Sequence, residues 1–298
     1  MNVYGSRGQL LASFYAYNPR FTGGVRVAVA DVNGDGIPDI ITAPGPGAPA
    51  DIRVFDGAHL AQANFRGGDI IREFFAYDIR FMGGAYVAAG DISRNGFADI
   101  VTGADAGGGP HVEVFSGVSG ALLSSFYAFN KNFTGGVRVA VGDINGDGFP
   151  DIIAGAGPGG MPLVNVFRGA SSMLLRSFDA FATSFTGGVS VAAADINHDG
   201  FADIVVGAGR GGGPFVQVFS GLDNSVLESF NAFNPAFHGG VTVAAADFNG
   251  NGFADFLIVG AGAGGGPQVN VYNPNGTLNS AFFAFNGAFP GGVFVGGG

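Results

Sequence analysis

The sequence predicts an all-β protein: a six-bladed β-propeller of four-stranded antiparallel blades, with the ring closed by N- and C-terminal strands. Three observations carry this expectation. A Gly-Gly pair behind a Phe recurs at 23–24, 83–84, 135–136, 187–188, 239–240 and 291–292, in steps of 60, 52, 52, 52 and 52 residues. Each unit holds four short apolar runs bounded by Gly, Asn and Asp, and four strands in about 50 residues is the mark of a propeller blade. The runs alternate with period two, as Val137, Val139 and Val141 do, and no window has a convincing helical period.

Residues 1–17 read as third and fourth strands lacking the first two, since MNVY at 1–4 aligns with VNVY at 269–272. In the unit Phe133–Phe181 the spacing predicts strands at Val137–Val141, Ile152–Ala154, Leu163–Phe167 and Met173–Phe181. The first strand of every unit is built of Val and Ala, small enough for the crowded centre of a ring. The fourth carries Phe-x-Ala-(Phe/Tyr)-x-x-x-Phe six times, from Phe14/Tyr17/Phe21 to Phe282/Phe285/Phe289, and these rings fill the widening wedge between blades. Gly291–Gly298 supplies a lone first strand. Residues 1–298 are therefore expected to form one domain: five full repeats plus a sixth blade shared between the ends.

A meander of this kind puts the first-to-second and third-to-fourth connections on one face, together with an eight-residue insertion around Ala58–Gly68. The glycine-rich second-to-third turns lie opposite, and that face is the expected place of ligand contact. Open strand edges invite pairing, so a closed monomer is expected, with strand-mediated self-association as the lesser alternative.

Composition excludes several classes. The chain has 56 Gly in 298 residues but is 47% hydrophobic, so it has the apolar surface to fold. Lys and Arg number 13 against 23 Asp and Glu, a net charge of −10 that argues against nucleic acid. No run of about 20 apolar residues predicts membrane insertion, and the first residues lack the pattern of a signal peptide. With no Cys there is no disulfide frame, thiolate metal site or cysteine nucleophile. Gly155-x-Gly157-x-x-Gly160 and Gly207-x-Gly209-x-x-Gly212 mimic a dinucleotide fingerprint, but a strand follows each where a helix is needed, and they read as structural turns. No catalytic base or nucleophile stands out from the repeat.

The acids are concentrated instead. Thirteen of 20 Asp lie in five loops of the form Asp-x-Asn-x-Asp-Gly-x-x-Asp, between the first and second strands. Side-chain oxygens at loop positions 1, 3, 5 and 9 and the carbonyl at 7 form an oxygen cage suited to a hard divalent cation. The candidate ligands are Asp31, Asn33, Asp35, Ile37 and Asp39 in the first loop, and Asp91, Ser93, Asn95, Phe97 and Asp99 in the second. The third offers Asp143, Asn145, Asp147, Phe149 and Asp151, the fourth Asp195, Asn197, Asp199, Phe201 and Asp203, the fifth Asp247, Asn249, Asn251, Phe253 and Asp255. Up to five Ca2+ ions would cancel the net charge. The loops at 91–99 and 247–255 have two carboxylates each against three elsewhere, and are expected to bind more weakly. No Glu stands at position 12, which holds Thr42, Thr102, Ala154, Val206 and Ile258, so these are not EF-hands.

Phe-Thr-Gly-Gly, the Asp cage and the following Gly-Ala-Gly-Pro together resemble the FG-GAP/VCBS repeat family, whose relatives include the propellers of integrin α chains and certain fungal lectins. The resemblance implies calcium in the five loops and a place outside the cell or at its surface. It implies a non-catalytic structural or adhesion module with an extracellular protein or a glycan as partner. A carbohydrate-binding lectin is the alternative, and a calcium-dependent enzyme acting on polysaccharide is a weaker one. Those relatives have seven blades, so a fragment of a seven-bladed type is the alternative to six.

Overall fold

The structure is a computed structural model that describes residues 1–5, 8–60 and 69–297. A hairpin of β1 (Asn2–Tyr4) and β2 (Leu10–Ser13) comes first. The first four-stranded sheet is β3 (Val25–Ala30), β4 (Asp39–Pro44), β5 (Asp51–Phe55) and β6 (Ile70–Phe75). The second is β7 (Ala85–Gly90), β8 (Asp99–Ala104), β9 (His111–Phe115) and β10 (Leu122–Tyr127). The third is β11 (Val137–Gly142), β12 (Asp151–Ala156), β13 (Leu163–Phe167) and β14 (Leu174–Asp179), close to the strands predicted from spacing. The fourth is β15 (Val189–Ala194), β16 (Asp203–Ala208), β17 (Phe215–Phe219) and β18 (Val226–Asn231). The fifth is β19 (Val241–Ala246), β20 (Phe256–Ala261), β21 (Gln268–Tyr272) and β22 (Leu278–Phe283).

The propeller thus has five blades, not the expected six. The two ends of the chain do not share a sheet: β1 and β2 pair only with each other, and residues 293–297 belong to no strand. A second strand would have to ladder the two pieces together, and neither end carries one. Side chains make the contact instead. Asn2 Nδ2 and the Tyr4 hydroxyl donate to the Ala284 carbonyl at 2.6 and 2.9 Å, as Asn270 and Tyr272 of β21 donate to Ala232 at 2.7 and 2.6 Å. Val293 is buried; its carbonyl accepts from Thr242 Oγ1 at 2.9 Å, as that of Val241 does from Ser190 Oγ.

Burial explains the residue choice strand by strand. The inner strands β7, β11, β15 and β19 bury Val and Ala against their neighbours, and all six residues of β4, β8, β12 and β16 are buried on both faces. Continuous Ile, Val and Ala runs suit a strand enclosed on both sides. At the rim, the first Phe of each fourth strand packs on the last aromatic of the next third strand. The pairs are Phe74–Phe115, Phe126–Phe167, Phe178–Phe219 and Phe230–Tyr272, with centroids 4.6, 4.8, 5.0 and 4.7 Å apart. The hairpin repeats the contact on both sides, through Phe282–Tyr4 at 4.9 Å and Phe14–Phe55 at 5.1 Å.

A second aromatic position explains the odd threonines. The Tyr17 and Tyr77 hydroxyls bond Thr42 and Thr102 Oγ1, each at 3.0 Å, while Phe129 and Phe181 stand at the same place in units that carry Ala154 and Val206. Burial raises both phenols far above the ordinary range. Thr42→Val removes one partner of a buried hydroxyl and is expected to cost about 1 kcal/mol. Tyr17→Phe should cost more in urea unfolding, because the same hydroxyl also donates to the Asp51 carbonyl at 2.7 Å.

Candidate metal loops

The predicted faces are observed. The third-to-fourth turn reaches the first-to-second loop, where Gly57, Gly117 and Gly221 N–H donate to Asp39, Asp99 and Asp203 Oδ1 at 2.9, 3.2 and 3.0 Å. On the other face the glycine-rich turns bond the approach to the next blade, Gly47 N–H to Met82 O at 2.8 Å and Gly159 N–H to Thr186 O at 2.9 Å. Of the insertion around Ala58–Gly68, residues 61–68 lie outside the described residues.

All five loops share one backbone path. Positions 4 and 6 have positive φ throughout: Gly at most places, but Arg94 at 52° and His198 at 63°. This left-handed path turns successive N–H groups onto the position-1 carboxylate. Asp31 accepts from Gly34 and Gly36 at 2.7 and 2.8 Å, and Asp143 from Gly146 and Gly148 at 2.8 and 2.7 Å. Asp195 accepts from His198 and Gly200, and Asp247 from Gly250 and Gly252; Asp91 accepts from Asn95 and Gly96. Asn33, Asn145, Asn197 and Asn249 Oδ1 each accept from the amide two residues on, as do Asp35, Asn95, Asp147, Asp199 and Asn251.

Position 9 sits deepest. Asp39, Asp99, Asp151 and Asp203 are fully buried, and Oδ2 of each accepts a backbone N–H from its own loop. Burial raises the pKa of Asp39 and of Asp203 and pushes that of Asp151 up to about 6, where the charges of Asp147 and Asp143 add to the effect. The Gly169 N–H of the third-to-fourth turn faces Asp151 as Gly57, Gly117 and Gly221 face the other position-9 carboxylates. The carboxylate, amide and carbonyl oxygens of the third loop are a donor set of the kind a hard cation such as calcium takes, although Arg168 Nη2 stands 3.7 Å from Asp147 Oδ2. Among the described residues no three His, Cys, Asp or Glu side chains converge on one point. A cation here needs the Asn or Ser oxygen, the position-7 carbonyl and water beside the carboxylates.

The fifth loop departs from the others. Asp203 pairs with Ala194 at the start of the fourth blade's ladder, but in the fifth Phe256 pairs with Ala246, and Asp255 is pushed one residue out and is only half-buried. The turn that should cover it begins Asn273-Pro274, without the glycine N–H donor of the other blades. One residue is gained before β20 and one lost in that turn, so the 52-residue period conceals the shift; counting from Asp255 to Gly262 reveals it.

Neighbouring loops touch. The position-7 ring packs on position 4 of the preceding loop: Phe253 stacks on His198 with centroids 4.2 Å apart, and Arg94 lies 4.5 Å over Phe149. Position-8 amides donate to position-1 carbonyls of the preceding loop, Ala98 to Asp31 at 2.9 Å, Ala202 to Asp143 at 2.8 Å and Ala254 to Asp195 at 3.0 Å. At the junction of the second and third loops position 8 is Pro150, which has no N–H to give.

Reading the repeat for what is shared missed a cluster built from what is not. The second residue of the inner strands is Arg26, Tyr86, Arg138, Ser190 and Thr242, and Asp105 replaces the glycine found at 45, 157, 209 and 262. At the mouth of the central channel Arg26 Nη2 donates to Asp105 Oδ2 at 2.7 Å, and Arg138 Nη2 lies 3.9 Å from Asp105 Oδ1. Both guanidinium groups lie over the Tyr86 ring, at 4.9 and 4.6 Å, and Phe294 flanks Arg26 at 4.6 Å.

Comparison with known proteins matches the loop-bearing units. The FG-GAP-like repeat family matches residues 143–206, and the FG-GAP repeat family residues 23–54 and 239–277. Integrin alpha-V of Gallus gallus is 30% identical over 221 residues, 62% of this chain and 20% of that protein. Integrin alpha-8 of Gallus gallus is 29% identical over 242 residues, 68% of this chain and 22% of that protein. The chain therefore spans about a fifth of the length of these relatives. Among solved structures the RRP9 WD40 repeats superpose with a TM-score of 0.50 at 10% identity, covering 88% of this chain and 67% of that one, a likeness of fold alone.

Proposed function

Because this chain belongs to the FG-GAP repeat family, an integrin-alpha-like group, we propose that it is a calcium-binding, non-catalytic propeller serving outside the cell as a structural or adhesion module. The observation that carries the reading is the loop: one backbone path and one carboxylate clasp, built five times on a single face. Asp143, Asn145, Asp147 and Asp151 with the Phe149 carbonyl would hold the ion in the third loop, and the matching positions in the others. Calcium would supply charge that the loop backbone alone does not offset. It would pin two strands of a blade together, leaving the opposite, glycine-rich face for an extracellular protein partner.

Calcium calorimetry and electrophoretic mobility with and without the ion test the reading; no uptake would overturn it. The loops at 31–39, 143–151 and 195–203 should fill before those at 91–99 and 247–255, because carboxylate number tunes affinity. Asp147→Ala should remove one tight site from the measured stoichiometry. Asn251→Asp should strengthen the fifth loop by less than its added charge suggests, since Asp255 is displaced. Equal filling of all loops at limiting calcium would defeat the ranking.

A further inference from the structure

The central channel carries charge that the repeat does not require. Its cavity of about 140 Å³ is lined by the inner strands and by residues 294–297, and the only ionised side chains in that lining are Arg26 and Arg138. Among the described residues the one acid paired with them is Asp105, in the turn behind them. Its oxygens already accept from Arg26 on Oδ2 and from the Ala106 N–H on Oδ1, each at 2.7 Å. Two guanidinium groups against one carboxylate leave a surplus of one positive charge, in a protein whose net charge is −10.

Donors are in surplus as well. The Arg26 side chain is 7% exposed, and its Nε is buried without a hydrogen-bond partner. Arg138 donates through Nη1 to the Gly135 carbonyl at 3.0 Å, and its Nη2 stands beyond hydrogen-bond distance from Asp105. A buried guanidinium with unused donors is costly unless an acceptor meets it. The Ser190 and Thr242 hydroxyls donate to the Val241 and Val293 carbonyls, and among the described residues no hydrogen bond joins them or the Tyr86 hydroxyl to either arginine. The arginine tips lie against Gly45 and Gly157, which the Gly23 and Gly135 carbonyls hold to glycine as well.

We propose that the channel mouth on the glycine-rich face binds one carboxylate group, held by Arg138 and Arg26 beside the Tyr86 ring. A planar anion of single charge matches both the surplus and the forked donors of a guanidinium. The site is independent of the calcium loops, which lie on the other face.

The test is a titration with sodium acetate against sodium chloride at constant ionic strength, read on the side-chain Nε–H signals of Arg26 and Arg138 by NMR. Acetate should shift both signals saturably, and chloride should not. Arg138→Gln should weaken the acetate response by about tenfold or more, the scale of a charge-assisted hydrogen bond. Asp105→Asn, which removes the internal competitor, should strengthen it by a similar factor and serves if the arginine variant fails to fold. A response that is absent, equal in chloride, or unchanged in either folded variant would overturn the proposal.

Discussion

Chelating calcium is expected to lower the melting temperature of this protein by about 15 °C or more. An ion bound only by the folded loop stabilises by about 2.7 kcal/mol when its free concentration is a hundred times its dissociation constant. Three tight loops filled to that level contribute about 8 kcal/mol, and a domain above 150 residues shifts by about 2–4 °C per kcal/mol. The empty loops add a penalty of their own. Asp151 is fully buried, and burial first and then the charges of Asp147 and Asp143 raise its pKa. Calorimetric scans in EDTA and in excess calcium would check this, and identical scans would remove the metal from the account of stability.

Deleting residues 1–17 is expected to cost more than about 5 kcal/mol and to unfold the ring as a unit. The hairpin is not one of the blades, yet it touches the first and the last. Phe14 packs on Phe55, Tyr17 bonds Thr42 and the Asp51 carbonyl at 2.7 Å, and Tyr4 packs on Phe282. Removing one large buried aromatic costs about 3–5 kcal/mol, and Phe14, Ala12 and Ala16 are all buried. Guanidinium unfolding of the truncated chain should show a lower midpoint with one transition. An unchanged midpoint would mean that the first blade does not depend on the hairpin.

Much of this fold was legible because it is written five times. Alternation and turn residues place β11 to β14 nearly where they lie, and the Phe spacing anticipates the rim contacts. The blade count was not legible by adding up strands. A blade is a continuous ladder, and a sequence shows strands without showing that no ladder joins the hairpin to residues 293–297. The loops were legible as oxygen-rich turns, and their backbone path follows from glycine at positions 4 and 6. The displacement of Asp255 stayed hidden because two compensating changes preserve the period. Arg26, Tyr86, Arg138 and Asp105 were passed over because a search for repeats discards the positions that differ.

Pro150 divides the metal face into two circuits. Loops one and two are wired by the Ala98 amide, and loops three, four and five by those of Ala202 and Ala254. Between the two groups the backbone link is replaced by the Arg94 guanidinium over Phe149. A disturbance that breaks one loop's geometry passes along backbone bonds within its own circuit, but it must cross a side-chain contact to reach the other. Five repeats of one motif therefore work as a pair and a trio, because Pro38 at position 8 of the first loop likewise has no amide to give, and the seam between the second and third blades is one of two breaks in the backbone wiring.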